Sequence, residues 1–273
     1  MRPVCVLSLR IRINPKFKRR TSTMILGVLK EPSFESRVSI LAETAAALIK
    51  KGVVVWVETN AGERAACPDE DYRKAGASVT SRQEILQKAD IILAIHPPFT
   101  NASNHLGAES SLKGKIFIGV YQPLFNAELM YEWAGKELSV FSLDMLPRTT
   151  RAQSMDILSS QANIAGYKAV LVAANTFPRY FPMFMTAAGT IPPAKVLIIG
   201  AGVAGLQAIA TARRLGAVIE VFDTRPAVKE EVMSLGARFI EVEGAADASK
   251  AGGYGVEQTE EFLQKQKARI APH

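Results

Sequence analysis

The stretch from Lys195 to Asp223 narrows the folds open to this chain more than any other. A short apolar run, Val196-Leu197-Ile198-Ile199, is followed by Gly200-Ala201-Gly202-Val203-Ala204-Gly205, and an acid, Asp223, stands eighteen residues beyond the last glycine. The G-x-G-x-x-G pattern leaves a strand-like run and opens a helical stretch, Val203 to Arg214. That stretch stops near Gly216, before a second strand from Val218 to Phe222. In this setting the pattern reads as the dinucleotide-binding turn of a βαβ unit. Gly200 permits the tight reversal out of the strand, Gly202 lets backbone N–H groups approach a pyrophosphate, and Gly205 lets the helix pack close to the sheet. The phosphates then sit on the positive end of the helix, at Val203 and Ala204. Asp223 is expected to accept hydrogen bonds from the adenosine ribose hydroxyls and to repel a 2′-phosphate, which favours NAD over NADP. Arg225, two residues on, works against that preference. A glycine-rich strand-to-helix turn with no ligand is the competing reading. A membrane span over the uncharged residues Val196 to Ala212 is excluded, because three glycines and Gln207 interrupt a segment already at the short limit of about 17 to 25 mostly apolar residues.

At 273 residues the chain is long enough for two domains with separate cores. Its formal charge of +7 suggests nucleic acid until its distribution is considered. Seven of the 33 basic residues (Arg2, Arg10, Arg12, Lys16, Lys18, Arg19 and Arg20) fall in residues 1–23, which contain no acid. The rest of the chain balances 26 basic residues against 26 acidic ones, so no nucleic-acid partner is expected. The basic head reads as a transit-type presequence, as upstream sequence from an early start codon, or as a disordered cationic tail. The first domain then begins near Met24. Two cysteines, Cys5 and Cys67, form neither a disulfide framework nor a metal pattern, which points to a reducing compartment. His96, His105 and His273 have no zinc-like spacing, and no metal is expected. There is no run of 18 apolar residues and no repeat of fixed period.

From Met24 onward, strand and helix signals alternate. Strands are expected at Ile25 to Leu29, Val53 to Val57, Ala77 to Val79, Ile91 to Ile95, Ile116 to Val120 and Leu138 to Phe141. Helices are expected at Leu41 to Lys50, Asp69 to Ala75, Ser81 to Lys88 and Ala127 to Gly135. This alternation predicts an α/β protein with parallel sheets covered on both faces. The division expected is a basic extension at 1–23, an N-terminal α/β domain at 24–150, a connector at 151–194 with a long helix from Ser154 through Ala173, and a nucleotide-binding domain at 195–273. In the last of these, a helix from Pro226 to Leu235, a strand from Arg238 to Val242, a glycine-rich loop from Gly244 to Gly255 and a helix from Val256 to Lys267 follow the second strand. A doubly wound sheet has about six strands in two halves, and only the first half is expected here. The fold class is therefore two Rossmann-like parallel-sheet domains, the second truncated after its first half.

The run Arg148-Thr149-Thr150-Arg151-Ala152-Gln153-Ser154-Met155-Asp156-Ile157-Leu158-Ser159-Ser160-Gln161-Ala162-Asn163-Ile164-Ala165-Gly166-Tyr167 closely resembles the NAD(H)-binding component, the alpha subunit, of proton-translocating nicotinamide nucleotide transhydrogenases. Thr186-Ala187-Ala188-Gly189-Thr190-Ile191-Pro192-Pro193-Ala194-Lys195, the glycine turn, and Asp223-Thr224-Arg225-Pro226 share the resemblance, which runs from about Met24 to Lys267. It implies hydride transfer from NADH bound here to NADP⁺ bound on a separate component, Si-specific and coupled to proton movement through a membrane-spanning component. It also implies a homodimer peripheral to the inner membrane, on the cytoplasmic side, or on the mitochondrial matrix side if the basic head is a presequence. By the same resemblance the nicotinamide site falls on Arg148, Gln153, Asp156 and Ser159, and further cofactor contacts on Arg151, Thr224, Arg225 and Tyr254. Gln153, Asp156 and Ser159 recur every three residues and are expected on one helix face, suited to orienting the cofactor rather than to acid–base work. An ordinary capped helix turn is the alternative for these residues. Gly252-Gly253-Tyr254 resembles a mobile loop whose tyrosine closes over nucleotide, against the alternative of a plain flexible loop.

Two other functions compete. Alanine dehydrogenase, a soluble relative, shares the Arg-Val pattern seen at Arg37-Val38, but the positions of its lysine and histidine hold His96 and Gln122 here, leaving amino-acid chemistry without its lysine. His96 beside Pro97-Pro98 also reads as a satisfied loop histidine. The third possibility is an inactive nucleotide-binding fragment that only occupies a place in an assembly.

Overall fold

The computed structural model of the protein describes residues 24–98, 112–147, 149–242, 244 and 256–271. The chain divides into two compact units between Met145 and Leu146. The first is built on six parallel strands: β1 (Ile25–Val28), β2 (Val54–Glu58), β3 (Ser78–Thr80), β4 (Ile91–Leu93), β5 (Ile116–Gly119) and β6 (Ser139–Ser142), in the order β3-β2-β1-β4-β5-β6. Helices α1 (Ala42–Lys50), α2 (Asp69–Lys74), α3 (Arg82–Lys88) and α4 (Ala127–Gly135) complete it. Because successive strand residues point to opposite faces, apolar runs in β1 and β2 feed two cores at once. Leu26, Val28, Val55 and Val57 pack with Ala45 of α1 and Tyr72 of α2, whereas Trp56 turns to the other face with Ile85, Ile92, Phe117 and Trp133. Each large side chain fully buried this way contributes about 1.5–3 kcal/mol. Gly27 allows α3 to lie tightly on β1, since a Cβ there would come within 2.3 Å of Ile85 Cγ2.

The second unit opens with a 3₁₀ turn at Gln153–Met155, followed by α5 (Ile157–Thr176) and an antiparallel hairpin of β7 (Phe184–Thr186) and β8 (Gly189–Ile191). Next come β9 (Lys195–Ile199), α6 (Val203–Arg214), β10 (Val218–Phe222), a 3₁₀ turn at Pro226–Val228, α7 (Lys229–Ser234), β11 (Arg238–Phe239) and α8 (Glu260–Ile270). Strands β9, β10 and β11 form a parallel sheet in the order β11-β10-β9. One core joins Val170 of α5, Ile198, Ala208, Ile209 and Ala212 of α6, Ile219, Val221 and Val232. A smaller one gathers Phe222, Ile240 and Phe262 of α8.

Several boundaries depart from the sequence reading for identifiable reasons. The long helix starts at Ile157 rather than Ser154, because Asp156 caps it by accepting from Ser159 N at 3.0 Å. It stops before Phe177, which precedes Pro178 and is extended, with ψ 126°. The helix expected at Pro226 to Leu235 begins as a 3₁₀ turn. The strand expected from Arg238 to Val242 pairs over Arg238–Phe239. The last helix begins after Thr259, whose hydroxyl caps Phe262 N at 3.2 Å, rather than at Val256. Residues 184–191, read as a small-residue approach to the sheet, form the hairpin instead, with Gly189 at φ +140° where β8 begins. Residues 151–194, read as a connector, supply α5 and this hairpin to the second unit.

Candidate nucleotide site

The site is built on the crossing from β9 to α6. Gly200, at φ +98°, makes the reversal, and its N–H donates to Phe222 O at 2.8 Å, fastening the turn to β10. An L side chain at that φ would be strained. Gly202 is the residue before α6 and offers no side chain to cap it. A Cβ at Gly202 would meet nothing within 4 Å, so the space beside the turn is open. The first helical hydrogen bond, Leu206 N to Gly202 O at 2.8 Å, leaves the N–H groups of Val203, Ala204 and Gly205 outside the helical ladder. They stand at the positive end of a twelve-residue helix. Gly205 has no room for a side chain: its Cβ would fall 1.9 Å from Gly200 O. The three glycines thus differ in function: one sets a left-handed turn, one keeps a surface open, and one allows close packing.

Asp223, just past the end of β10, reaches back to this turn. Its Oδ2 accepts from Ala201 N at 2.7 Å, and its Oδ1 accepts from Arg225 N at 2.8 Å. The Arg225 guanidinium adds two more donors, Nε to Oδ1 at 3.0 Å and Nη2 to Oδ2 at 2.9 Å. The Asp223 side chain is 6% exposed and that of Arg225 22%. Burial pulls the Asp223 carboxyl up, but the Arg225 guanidinium and the two backbone N–H groups outweigh it and hold the group below its ordinary value. Arg225 is correspondingly raised by its bonds to Asp223. Thr224, between them, is half-buried. The tie from Asp223 to Ala201 N has no signal in the sequence, since only the fold brings residues 22 positions apart to one turn.

Helix α5 crosses α6 at the same turn. A Cβ at Gly166 would lie 2.0 Å from Ala204 O and 3.0 Å from Ala204 Cα, and Asn163 Nδ2 donates to Gln207 Oε1 at 3.2 Å. The start of α5 is where the sequence reading puts the nicotinamide residues. Asp156 and Ser159 are brought together: Ser159 N and Oγ donate to the Asp156 carboxylate at 3.0 and 2.7 Å. Gln153 does not share their helix face, contrary to what the spacing suggests, because it lies in the preceding 3₁₀ turn and is exposed, as is Arg151. Arg148 and Tyr254, with Gly252 and Gly253, lie outside the described residues.

In the first unit, two of the residues weighed for amino-acid chemistry, Arg37 and His96, are held by carboxylates. Arg37 pairs with Glu35 at 2.6 Å, and His96 Nε2 lies 2.9 Å from the same Glu35, which Arg37 holds well below the usual carboxylate range. Glu31 accepts from Ile95 N at 2.6 Å and His96 N at 3.1 Å, and burial raises it above its ordinary value. His96 is thus a satisfied loop residue, tied from both its ring and its backbone.

Known proteins carry the same sequence pattern. Residues 27–165 match the alanine dehydrogenase/PNT N-terminal domain, and residues 169–272 match the C-terminal domain of the same family. The chain is 44% identical over 239 residues to the NAD(P) transhydrogenase subunit alpha of Cereibacter sphaeroides, covering 86% of this chain and 45% of that protein. The crystal structure of transhydrogenase from Sinorhizobium meliloti superposes with a TM-score of 0.79 at 44% identity, covering 91% of this chain and 66% of that one. An alanine dehydrogenase of Staphylococcus epidermidis is more distant, 27% identical over 78% of this chain and 56% of its own. The chain thus spans less than two thirds of the length of the transhydrogenase subunits it matches. With a glycine turn of nucleotide-binding geometry and both domain signatures in order, the chain belongs to the alanine dehydrogenase/PNT family.

Proposed function

We propose that this chain is the NAD(H)-binding component of a proton-translocating transhydrogenase and passes hydride between NADH held here and NADP⁺ held on a partner component. The observation that carries this reading is the joint geometry of the β9–α6 turn: open space at Gly202, uncapped N–H groups at Val203 to Gly205, and a buried carboxylate, Asp223, at the end of the next strand. Such a turn fits a pyrophosphate, and an acid at that position fits a ribose diol. When bound, a nicotinamide supplies the hydride chemistry; the chain's own residues bind and orient it. The α6 N-terminus holds phosphate, Asp223 takes the adenosine ribose, and Val203, Ala204 and Thr224 line that end. Asp156 and Ser159, bonded to each other, present a fixed polar pair at the start of α5, which with Arg148 and Gln153 orients the ring-side amide and ribose. Arg151 and Tyr254 complete the set.

The reading includes a homodimer docked on a membrane-spanning component and an NADP(H)-binding component, at the inner membrane surface. The exposed Phe184, Met185 and Ile191 of the hairpin are of the kind a subunit contact covers. Among the described residues no helix is long and apolar enough to cross a membrane. Nucleotide binding is the property to test first, because the turn geometry bears on it directly. Calorimetric titration of the full chain with NADH and with NADPH is expected to give saturable NADH binding at micromolar to sub-millimolar concentration, with NADPH weaker. A folded chain that gives no heat with either refutes the reading.

A further inference from the structure

Resting on that reading, we infer that Arg225 is a two-position specificity residue: paired with Asp223 it masks the acceptor that a ribose diol needs, and released from it the guanidinium meets a 2′-phosphate. Four donors crowd the Asp223 carboxylate, two on each oxygen, at 2.7 to 3.0 Å. A carboxylate offers about four lone-pair sites. Two of the donors, Ala201 N and Arg225 N, belong to the turn backbone and cannot leave without unmaking it. The two from the Arg225 side chain can leave, since it is partly exposed and anchored at a flexible stem. A ribose with two hydroxyl donors therefore exchanges for the guanidinium, one donor on each oxygen. Asp223 thus binds NADH only as far as Arg225 releases it, and Arg225 acts as an internal competitor of the cofactor.

The same exchange has the opposite consequence for NADPH. A 2′-phosphate beside a lone aspartate is repelled, but beside an Asp–Arg pair it finds a guanidinium that can turn from carboxylate to phosphate bidentately. Arg225 thus narrows the discrimination that Asp223 alone would produce.

The test is the pair of nucleotide titrations repeated on Arg225→Ala and Arg225→Lys, with far-UV circular dichroism to establish that each variant is folded. Arg225→Ala should tighten NADH by about three- to tenfold, the scale of a partly exposed charge-assisted pair, and weaken NADPH by a similar factor. Arg225→Lys keeps a cation without the planar fork, so it should tighten NADH while retaining NADPH. Shifts of opposite sign for the two nucleotides are not produced by a merely structural residue, whose loss weakens both. Both nucleotides weakened, or neither changed, by Arg225→Ala overturns the inference while leaving the nucleotide site in place. A wild-type chain that binds neither nucleotide overturns the site and this inference together.

Discussion

Gly166 is the place where one added methyl group tests how α5 is held against the nucleotide turn. In Gly166→Ala the new Cβ would lie 2.0 Å from Ala204 O, 2.8 Å from its carbonyl carbon and 3.0 Å from its Cα. Carbon–oxygen contacts settle at about 3.3 Å or more, so the helices must part by roughly 1 Å, and the obstacle is backbone, which cannot rotate aside. Overpacking typically costs about 1–3 kcal/mol, and a clash this close against backbone falls at the top of that range, about 3 kcal/mol, while alanine's better helix propensity returns about 1 kcal/mol. The net expectation is a loss of about 2 kcal/mol, or roughly 5–10 °C in Tm for a unit of this size. The control is Gly135→Ala at the end of α4, where the added Cβ meets nothing within 4 Å and the change should be neutral or slightly stabilising. Scanning calorimetry measures both variants. NADH titration of Gly166→Ala should in addition show weaker binding, because α6 carries its first-turn N–H groups away with it. A Gly166→Ala protein as stable as wild type, as propensity alone would have it, refutes the close crossing.

Gly205→Ala should cost at least about tenfold in NADH affinity, since its Cβ would fall 1.9 Å from Gly200 O and force the turn open; titration of the folded variant measures it. Asp156→Ala removes the α5 cap and the Ser159 hydroxyl's acceptor, and a urea melt should show a loss of about 1 kcal/mol. Asp223 is held below its ordinary value, so the folded protein binds its proton less readily than the unfolded chain. The resulting stability is present above about pH 4 and lost as pH falls below it. Thermal melts from pH 6 to pH 3 should show that loss reduced in Asp223→Asn; an identical acid slope in the variant would argue against the buried pair.

Much of the scaffold was legible because its signals are local. Helices at Ala127–Gly135 and Val203–Arg214, and the strand Val218–Phe222, have the boundaries that periodicity and flanking glycines indicate. The hairpin at 184–191 was not legible, since its strands are three residues long and exposed throughout, leaving no alternation of apolar and polar positions to read. The helix face expected for Gln153 was not legible, because a spacing of three fits a helix whereas the helix begins only after Asp156 supplies its cap.

By itself, the order of residues determined the alternation of strand and helix, the two parallel sheets, the glycine turn and the acid that follows it. Each of these rests on propensity, periodicity or backbone freedom within a few residues. Only the tertiary structure decided what those residues touch. Gly166 owes its necessity to Ala204, 38 positions away in sequence, and Asp223 reaches across 22 positions to Ala201 N while its remaining acceptors are taken by Arg225. Contacts of that kind depend on how closely two elements approach after the core has packed, a distance set by the summed volumes of many side chains and not encoded in any short run of sequence.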